Sequence, residues 1–247
     1  MRAYSSFAQF YDELTANVEY AARAEYILEI FKKLGHPMGL TLDLACGTGS
    51  LTIELAKRGV DIYGVDASQE MLTQALDKAY DEGISLLFLC QKMQEIDLYG
   101  TIDTCICTLD SINHLTNPAD VQRTLDRVSL FLDPNGYFLF DVNTPYKHKE
   151  ILAENTFVYD TEEVFCVWQN EKLQDLTERI TLDFFSKSGE LYERSTEIFE
   201  ERAYTHDELC AMLDKAGLQI AALYGDMSFL PPAENEQRTV YVVKKKG

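Results

Sequence analysis

Short apolar runs alternate with amphipathic stretches through the first 146 residues of the chain. The apolar runs have the length of strands and predict strands at 40–43, 60–66, 84–90, 101–108 and 137–142. Between them, apolar residues recur at helical spacing, which predicts helices at 19–34, 51–59, 70–80 and 117–132. Alternation of strands and helices is typical of an α/β fold with helices on the faces of a sheet.

The pattern changes between residues 147 and 202, where β-branched and aromatic residues alternate with charged ones. Period-two alternation predicts antiparallel strands, here at 162–169, 179–185 and 191–199. A capping box at Thr205–Glu208 then predicts a further helix.

The length of 247 residues suits one α/β domain that carries an insertion. We expect residues 1–146 and 203–247 to form the core domain, with an N-terminal cap and a helix in residues 1–36. Residues 147–202 are expected to form an antiparallel β insertion that covers the ligand pocket and carries the choice of substrate.

The first predicted strand leads into a turn rich in glycine. Gly47 and Gly49 lack a Cβ, so the backbone can turn sharply and a ligand can approach it closely. The N–H groups at the start of the next helix offer donors to an anionic group. The following strand ends in Asp66, whose carboxylate can accept hydrogen bonds from two ribose hydroxyls. Together these features indicate a cofactor that contains a nucleoside.

The dinucleotide fingerprint G-x-G-x-x-G requires a third glycine, and this chain has Thr52 in that position. The phosphate-loop pattern, in which Gly-Lys-Ser/Thr follows the glycines, is also absent from the sequence. Both observations disfavour a nicotinamide dinucleotide as the cofactor.

The sequence Asp43-x-x-x-Gly47-x-Gly49, followed by Val65-Asp66, resembles the cofactor site of class I methyltransferases that use S-adenosylmethionine (SAM). The resemblance implies a Rossmann-like, seven-stranded, mostly parallel sheet with helices on both faces, a terminal antiparallel hairpin and the β insertion as a lid. It also implies SAM as cofactor, S-adenosylhomocysteine as product, and no metal. The cofactor-binding residues that it implies are Tyr4, Tyr11, Asp43, Ala45, Cys46, Gly47, Gly49, Asp66, Ala67, Ser68, Met71, Gln91, Lys92, Met93 and Leu109.

One position departs from the pattern of that family. An Asp commonly precedes the Met after the third strand and accepts a hydrogen bond from the adenine amino group, but here Lys92 stands before Met93. A lysine ammonium has no acceptor. Either Gln91 or a backbone carbonyl serves adenine instead, or the site is weakened. Met93 is still expected to lie against the adenine face.

Polar residues follow the fourth predicted strand, at the edge where open α/β sheets bind ligands. Asp110, Asn113 and His114 are expected to be catalytic residues that face the transferable methyl group. The expected chemistry is in-line displacement at the sulfonium methyl, in which alignment of the nucleophile supplies most of the effect. The candidate substrate residues are Tyr11, Asn143, Trp168, Arg202 and Tyr204.

The formal net charge of −19 results from 41 acidic and 22 basic residues. Such a charge repels nucleic-acid phosphates and anionic membranes, so we expect a small-molecule acceptor, no membrane association, and a monomer or homodimer. Six cysteines without a C-x-x-C pair indicate free thiols in the reducing cytoplasm. The four histidines show no metal-ligand spacing.

Three alternatives stay open from the sequence. The first is a catalytically weak module that binds SAM or a partner, which Lys92 favours. The second is methylation of RNA or protein, and the negative charge disfavours RNA. The third is a nicotinamide enzyme, which Thr52 disfavours.

Overall fold

The computed structural model describes residues 11–12 and 14–246. Its strands are β1 (Thr41–Leu44), β2 (Ile62–Asp66), β3 (Phe88–Cys90), β4 (Ile102–Cys107), β5 (Leu132–Asn143), β6 (Thr156–Asp160), β7 (Val164–Lys172), β8 (Thr177–Ser188), β9 (Leu191–Arg202), β10 (Leu218–Gly225) and β11 (Arg238–Lys245). Its α-helices are α1 (Tyr20–Lys33), α2 (Ser50–Lys57), α3 (Gln69–Asp81), α4 (Pro118–Phe131) and α5 (His206–Lys215). None of these helices is long and apolar enough to cross a membrane.

Seven strands form one sheet in the order β10-β11-β5-β4-β1-β2-β3. The pairs from β5 through β3 are parallel, whereas β11 is antiparallel to both of its neighbours. The predicted Rossmann-like, mostly parallel sheet with a terminal antiparallel hairpin is therefore confirmed. Because β1 lies between β4 and β2, the loops after these three strands meet at one edge.

Side chains that alternate along the central strands build a core on each face of this sheet. On β5, Phe138 and Phe140 pack in the core that includes α4 and α5, whereas Leu139 packs in the core that includes α1 and α2. On β11, Tyr241 and Val242 divide between the two cores in the same way. Helices thus cover both faces, as predicted.

Two strands differ in length from their predictions. β3 is shorter than 84–90, because the Ile84 N–H donates to the Ala79 carbonyl at 2.9 Å and closes the end of α3. β5 begins at Leu132 and includes the residues 133–136 that are typical of a turn. The pairing with β4 shifts register across these residues, so they form a bulge within the strand.

A second, antiparallel sheet follows β5 in the chain, with the order β6-β7-β8-β9. It includes β6, which the alternation pattern does not predict. One face of this sheet buries Val164, Ile180 and Leu182, and Leu14 from the N-terminal segment packs against this cluster. That the sheet acts as a lid stays a prediction.

Gly49 precedes α2 and has a φ of +72°. A Cβ at this position would lie 2.8 Å from the Cβ of Ala75 on α3. Because both the backbone conformation and the helix contact exclude a side chain, this glycine sets how closely α2 and α3 approach.

We expect Gly49→Ala to lower the free energy of unfolding by at least about 2 kcal/mol, the sum of left-handed strain and overpacking. Gly83→Ala is the matched control, because Gly83 has a φ of +67° but, in the part of the chain that the structure describes, no atom within 4 Å of the added Cβ. It should cost only about 1 kcal/mol. Urea denaturation measures both, and equal losses would show that the contact with Ala75 does not matter.

Candidate active site

A cavity of about 780 Å³ opens at the edge where the loops after β1, β2 and β4 meet. Its lining residues are Tyr11, Ala45, Gly47, Asp66, Ala67, Ser68, Gln69, Glu70, Met71, Gln91, Lys92, Met93, Gln94, Leu109, Ser111, His114 and Leu115. The cavity therefore lies where open α/β sheets bind ligands.

Asp66 at the end of β2 fixes the glycine turn. One carboxylate oxygen accepts a hydrogen bond from the Gly47 N–H at 2.8 Å, and the other accepts one from the Ser68 N–H at 2.8 Å. Burial raises the pKa of Asp66, although these two backbone donors oppose the shift. Two carboxylate oxygens offer about four acceptor positions, so Asp66 retains capacity for ligand hydroxyls. Gly47 has a φ of +55°, and no atom of the described residues lies within 4 Å of an added Cβ, so these residues leave its surface open to the cavity.

Asp43 is buried beneath the turn and accepts a hydrogen bond from the Thr52 hydroxyl at 2.6 Å. Thr52 occupies the position of the third glycine in the dinucleotide fingerprint, so its hydroxyl has a structural use that a glycine would lack. Burial raises the pKa of Asp43 to about 7, against the lowering effect of this hydrogen bond.

The loop after β4 forms another part of the wall and contains two left-handed residues, Leu109 at φ +58° and Asp110 at φ +55°. Their N–H groups donate to the two carboxylate oxygens of Asp141 at 2.9 and 2.7 Å. Asp141 lies on β5 and is 1% exposed. It also accepts a hydrogen bond from Arg238 at 2.7 Å. The buried carboxylate thus holds a strained turn in place.

Asp110 is itself paired. Its carboxylate accepts hydrogen bonds from Arg238 Nη2 at 3.0 Å and from the side-chain amide of Asn143. Burial opposes the ionisation of Asp110, but Arg238, Lys147 and His114 outweigh it and hold the pKa of Asp110 well below its usual range. A carboxylate of this kind is a weak base, so it is suited to orient a bound group more than to remove a proton.

His114 ends a short 3₁₀ turn, Ser111–His114, and its ring lines the cavity. Its Nε2 lies 3.5 Å from Oε1 of Glu201 on β9. Asn113 in the same turn donates its side-chain amide to the backbone carbonyls of Asn143 and Arg202, at 3.2 and 2.9 Å. The turn is therefore fastened to β5 and to the end of β9.

Known proteins are similar to this chain in sequence and in fold. Residues 41–136 match the methyltransferase domain family. YqeM of Bacillus subtilis (strain 168), which is named as a methyltransferase, is 33% identical over 98% of this chain and 97% of its own length. The crystal structure of a SAM-dependent methyltransferase from Clostridium acetobutylicum is 33% identical, covers 99% of both chains and has a TM-score of 0.90. The chain belongs to the SAM-dependent methyltransferases.

The sugar N-methyltransferase KedS8 from Streptoalloteichus shares the fold of this methyltransferase, with a TM-score of 0.78 at 20% identity over 96% of this chain and 93% of that one. The family confirms the prediction of SAM-dependent methyl transfer that was based on the glycine turn and Asp66. Membership of this family contradicts the alternative of a nicotinamide enzyme.

Most of the predicted cofactor residues of the methyltransferase line the cavity: Tyr11, Ala45, Gly47, Asp66, Ala67, Ser68, Met71, Gln91, Lys92, Met93 and Leu109. Asp43, Cys46 and Gly49 are not among the lining residues. Cys46 Sγ instead fills the space beside Gly64 of β2, where a Cβ would lie 2.7 Å from it. Tyr4 lies outside the described residues. Contact of each of these residues with SAM stays a prediction.

Gln91, Lys92 and Met93 line the side of the cavity that is predicted to bind adenine. The Gln91 side-chain amide exchanges two hydrogen bonds with the backbone of Asp97, at 2.7 and 3.2 Å. Lys92 is exposed and its ammonium lies 3.7 Å from a carboxylate oxygen of Glu95. Met93 contacts the hydrophobic core and lines the cavity. The Gln91 amide is therefore already engaged within the protein, and which group accepts a hydrogen bond from adenine stays a prediction.

The structure brings some of the predicted acceptor residues together and separates others. Asn143 contacts Asp110, beside the cavity. Trp168 lies in the second sheet, where Nε1 donates to Asn170 at 2.7 Å. Arg202 pairs with Glu208 at 2.9 Å, and Tyr204 is buried with its hydroxyl bonded to the Leu115 carbonyl. The last three side chains are engaged within the protein, and their contact with a substrate stays a prediction.

Sequence reasoning missed several residues at this site. Gln69, Glu70, Gln94 and Leu115 line the cavity next to predicted residues, and their adjacency in the chain was an available signal. Glu201 was missed for another reason. It is one of many acidic residues in the insertion, and its distance from His114 in the sequence hides their proximity in space.

Asp43 predicts a pH dependence of stability. Its folded-state pKa of about 7 lies above its ordinary value of 3.8, so its stabilising effect is present at low pH and is lost as the pH rises through 7. Between pH 5 and pH 8 the wild type should lose about 2–3 kcal/mol of unfolding free energy relative to Asp43→Asn. Urea denaturation at both pH values measures this difference. Asp77→Asn, at an exposed site on α3, is the control and should follow the wild type. If D43N and D77N have the same pH dependence, Asp43 is not the group responsible.

Proposed function

We propose that this SAM-dependent methyltransferase transfers its methyl group to a small molecule by in-line displacement, with the cofactor bound in the 780 Å³ cavity. The observation that carries the proposal is the pair of Gly47 and Asp66, which share one hydrogen bond and both line the cavity. The open glycine surface admits the methionine part of SAM, and Asp66 accepts hydrogen bonds from the ribose hydroxyls.

The acceptor side lies beyond Leu109, where Asp110, His114 and Asn143 are grouped. Asp110 and Asn143 are fixed by mutual hydrogen bonding and by Arg238. Groups held in this way align an acceptor with the methyl carbon, and alignment can supply about 7–11 kcal/mol of the barrier. Residues 147–202 would cover this side as a lid, since β9 carries Glu201 to within 3.5 Å of His114.

Several observations support a small acceptor in the cytoplasm. The net charge of −19 opposes a polyanionic substrate. A sugar N-methyltransferase is among the proteins that share the fold. The six cysteines are free thiols, which fits a reducing compartment. The proposal includes no metal, and a monomer or homodimer would suffice because the described site is built from one chain.

Incubation of the protein with SAM and a fractionated metabolite extract tests the activity. The expected result is a metabolite that gains the mass of one methyl group, together with release of S-adenosylhomocysteine. A protein that binds both SAM and S-adenosylhomocysteine but methylates nothing would favour the catalytically weak binding module instead.

Asp66→Ala should weaken SAM binding about 10- to 100-fold, because a charged acceptor of ribose hydroxyls is lost. Isothermal calorimetry measures the affinity. Asp77→Ala is the control, since Asp77 is exposed and lies outside the cavity lining. Thermal denaturation of D66A shows whether this variant stays folded. Unchanged affinity in D66A would overturn the ribose assignment.

Substitutions of Lys92 are expected to strengthen SAM binding, whereas Asp66→Ala is expected to weaken it. Lys92→Asp should strengthen SAM binding about 5- to 10-fold, because a carboxylate in this position can accept a hydrogen bond from the adenine amino group and the Lys92 ammonium cannot. Lys92→Asn, which offers a neutral acceptor at the same position, should give a smaller gain. If neither variant raises the affinity measured by calorimetry, adenine does not lie beside this position.

A further inference from the structure

Asp12 of the N-terminal segment is bonded to the glycine turn. One of its carboxylate oxygens accepts hydrogen bonds from the hydroxyls of Thr48 at 2.7 Å and Ser50 at 3.0 Å. These two residues stand on either side of Gly49, and Thr48 is 1% exposed. Two donors on one carboxylate oxygen fix where Asp12 lies. Asp12 is therefore attached to the turn whose Gly47 lines the cofactor cavity.

Lys78 of α3 completes this network. Its ammonium has three N–H groups, and they donate to the second Asp12 oxygen, to the Thr48 hydroxyl at 2.9 Å and to the Ser50 hydroxyl at 2.6 Å. Each hydroxyl thus accepts a hydrogen bond from the lysine and donates its own proton to the carboxylate. Burial lowers the pKa of Lys78, although the bond to Asp12 opposes the shift. The four side chains form a closed network of donors and acceptors.

The absence of a side chain at Gly49 permits this network. A Cβ there would lie 2.8 Å from the Cβ of Ala75 on α3, and Lys78 follows Ala75 by three positions. Residues three apart are neighbours on the surface of a helix, so the close approach of α3 at Gly49 brings the Lys78 ammonium to the hydroxyls on either side. The helix contact that Gly49→Ala would disturb thus also places Lys78.

The network lies next to the cofactor cavity, although Lys78 is not among the residues that line it. Tyr11, which precedes Asp12, does line the cavity. The Tyr11 carbonyl accepts hydrogen bonds from the Thr15 N–H at 2.9 Å and from the Thr15 hydroxyl at 2.7 Å. The Tyr11 backbone is therefore fastened as well, and holding Asp12 in place also holds Tyr11 at the cavity.

We propose that Lys78 is a positioning residue for the cofactor, which acts through Asp12 on the glycine turn and on Tyr11. This inference rests on the proposed function. Asp66 holds the same turn through the Gly47 N–H at 2.8 Å, so a residue of β2 and a residue of α3 both fasten it. A cavity whose walls are fixed before the cofactor arrives loses less conformational entropy on binding, which strengthens the affinity.

The charge of the ligand separates this role from a general electrostatic effect. SAM carries one net positive charge at neutral pH, whereas S-adenosylhomocysteine is neutral overall. Removal of the Lys78 charge by itself would favour a cationic ligand, and removal of the Asp12 charge would disfavour it. Loss of positioning instead weakens the binding of both ligands, whichever of the two residues is changed.

Isothermal calorimetry of the full-length protein with SAM and with S-adenosylhomocysteine tests the role. Lys78→Met and Asp12→Asn should each weaken the binding of both ligands about 10-fold, because each substitution breaks the network.

Lys57→Met is the matched control. Lys57 pairs with Glu82 at 2.7 Å, so it also joins α2 to the end of α3, and its side chain is 33% exposed against 30% for Lys78. It has no contact with Asp12 among the ion pairs of the described residues. Both affinities of K57M should stay within about twofold of wild type.

The double variant tests whether Asp12 and Lys78 act as one unit. Asp12→Asn combined with Lys78→Met should weaken binding about 10-fold, no more than either substitution alone, because both break the same network. A loss of about 100-fold would show that the two residues act separately, and it would overturn the role of Asp12 as the link.

Opposite changes in SAM affinity in K78M and D12N, with S-adenosylhomocysteine unaffected, would reduce Lys78 to a charge effect and overturn the inference. Unchanged affinities in K78M, or the same loss in K57M, would overturn it too. Thermal denaturation shows whether K78M stays folded, and if it does not, D12N, which keeps the size of the side chain, decides in the same way. A wild type that binds neither ligand would overturn the proposed function, and this inference with it.

Discussion

The buried carboxylate of Asp141 joins three separate parts of the chain. It accepts the N–H groups of Leu109 and Asp110, whose left-handed conformations are unfavourable without such support. It also holds Arg238 from β11, and Arg23 from α1 lies 3.8 Å away. Removing one partner from a buried ion pair leaves an uncompensated charge, so the turn after β4 keeps its shape only while this network is complete. One wall of the cavity, which Leu109 and Ser111 line, depends on that turn.

The proposed site has two halves, one for the cofactor and one for the acceptor, and they are built in different ways. In the cofactor half, the Gly47 N–H and the Asp66 carboxylate come from β1, β2 and the loops after them, so they are close in the sequence. The acceptor half is assembled from β4, β5, β9 and β11, which meet only in the folded chain. Asn113 fastens the 3₁₀ turn to β5 and to the end of β9, and its amide makes three bonds to backbone groups. The position of His114 therefore depends on the insertion.

This difference explains what the sequence could predict. The glycine turn and Asp66 signal a cofactor site within one local pattern, and the alternating strands and helices predict the sheet. Strand alternation shows which residues share a face, but not which face is buried against another element. Trp168 and Arg202 have suitable chemistry for binding a substrate, yet they bond to Asn170 and Glu208. Glu201 could not be singled out, because its pairing with His114 depends on how the second sheet is placed.

Thr52 stands where the dinucleotide fingerprint has its third glycine, and its side chain has a structural role of its own. A glycine in this position would allow close packing of helix and strand, whereas the Thr52 hydroxyl bonds to Asp43 and helps to satisfy a carboxylate that burial would otherwise leave without a partner. Asp66 holds the glycine turn through the Gly47 N–H, whereas Asp43 is bonded through Thr52 to the helix that follows the turn. A cofactor that has no pyrophosphate needs no third glycine at this position, and the chain uses the freed position to strengthen the floor of the site.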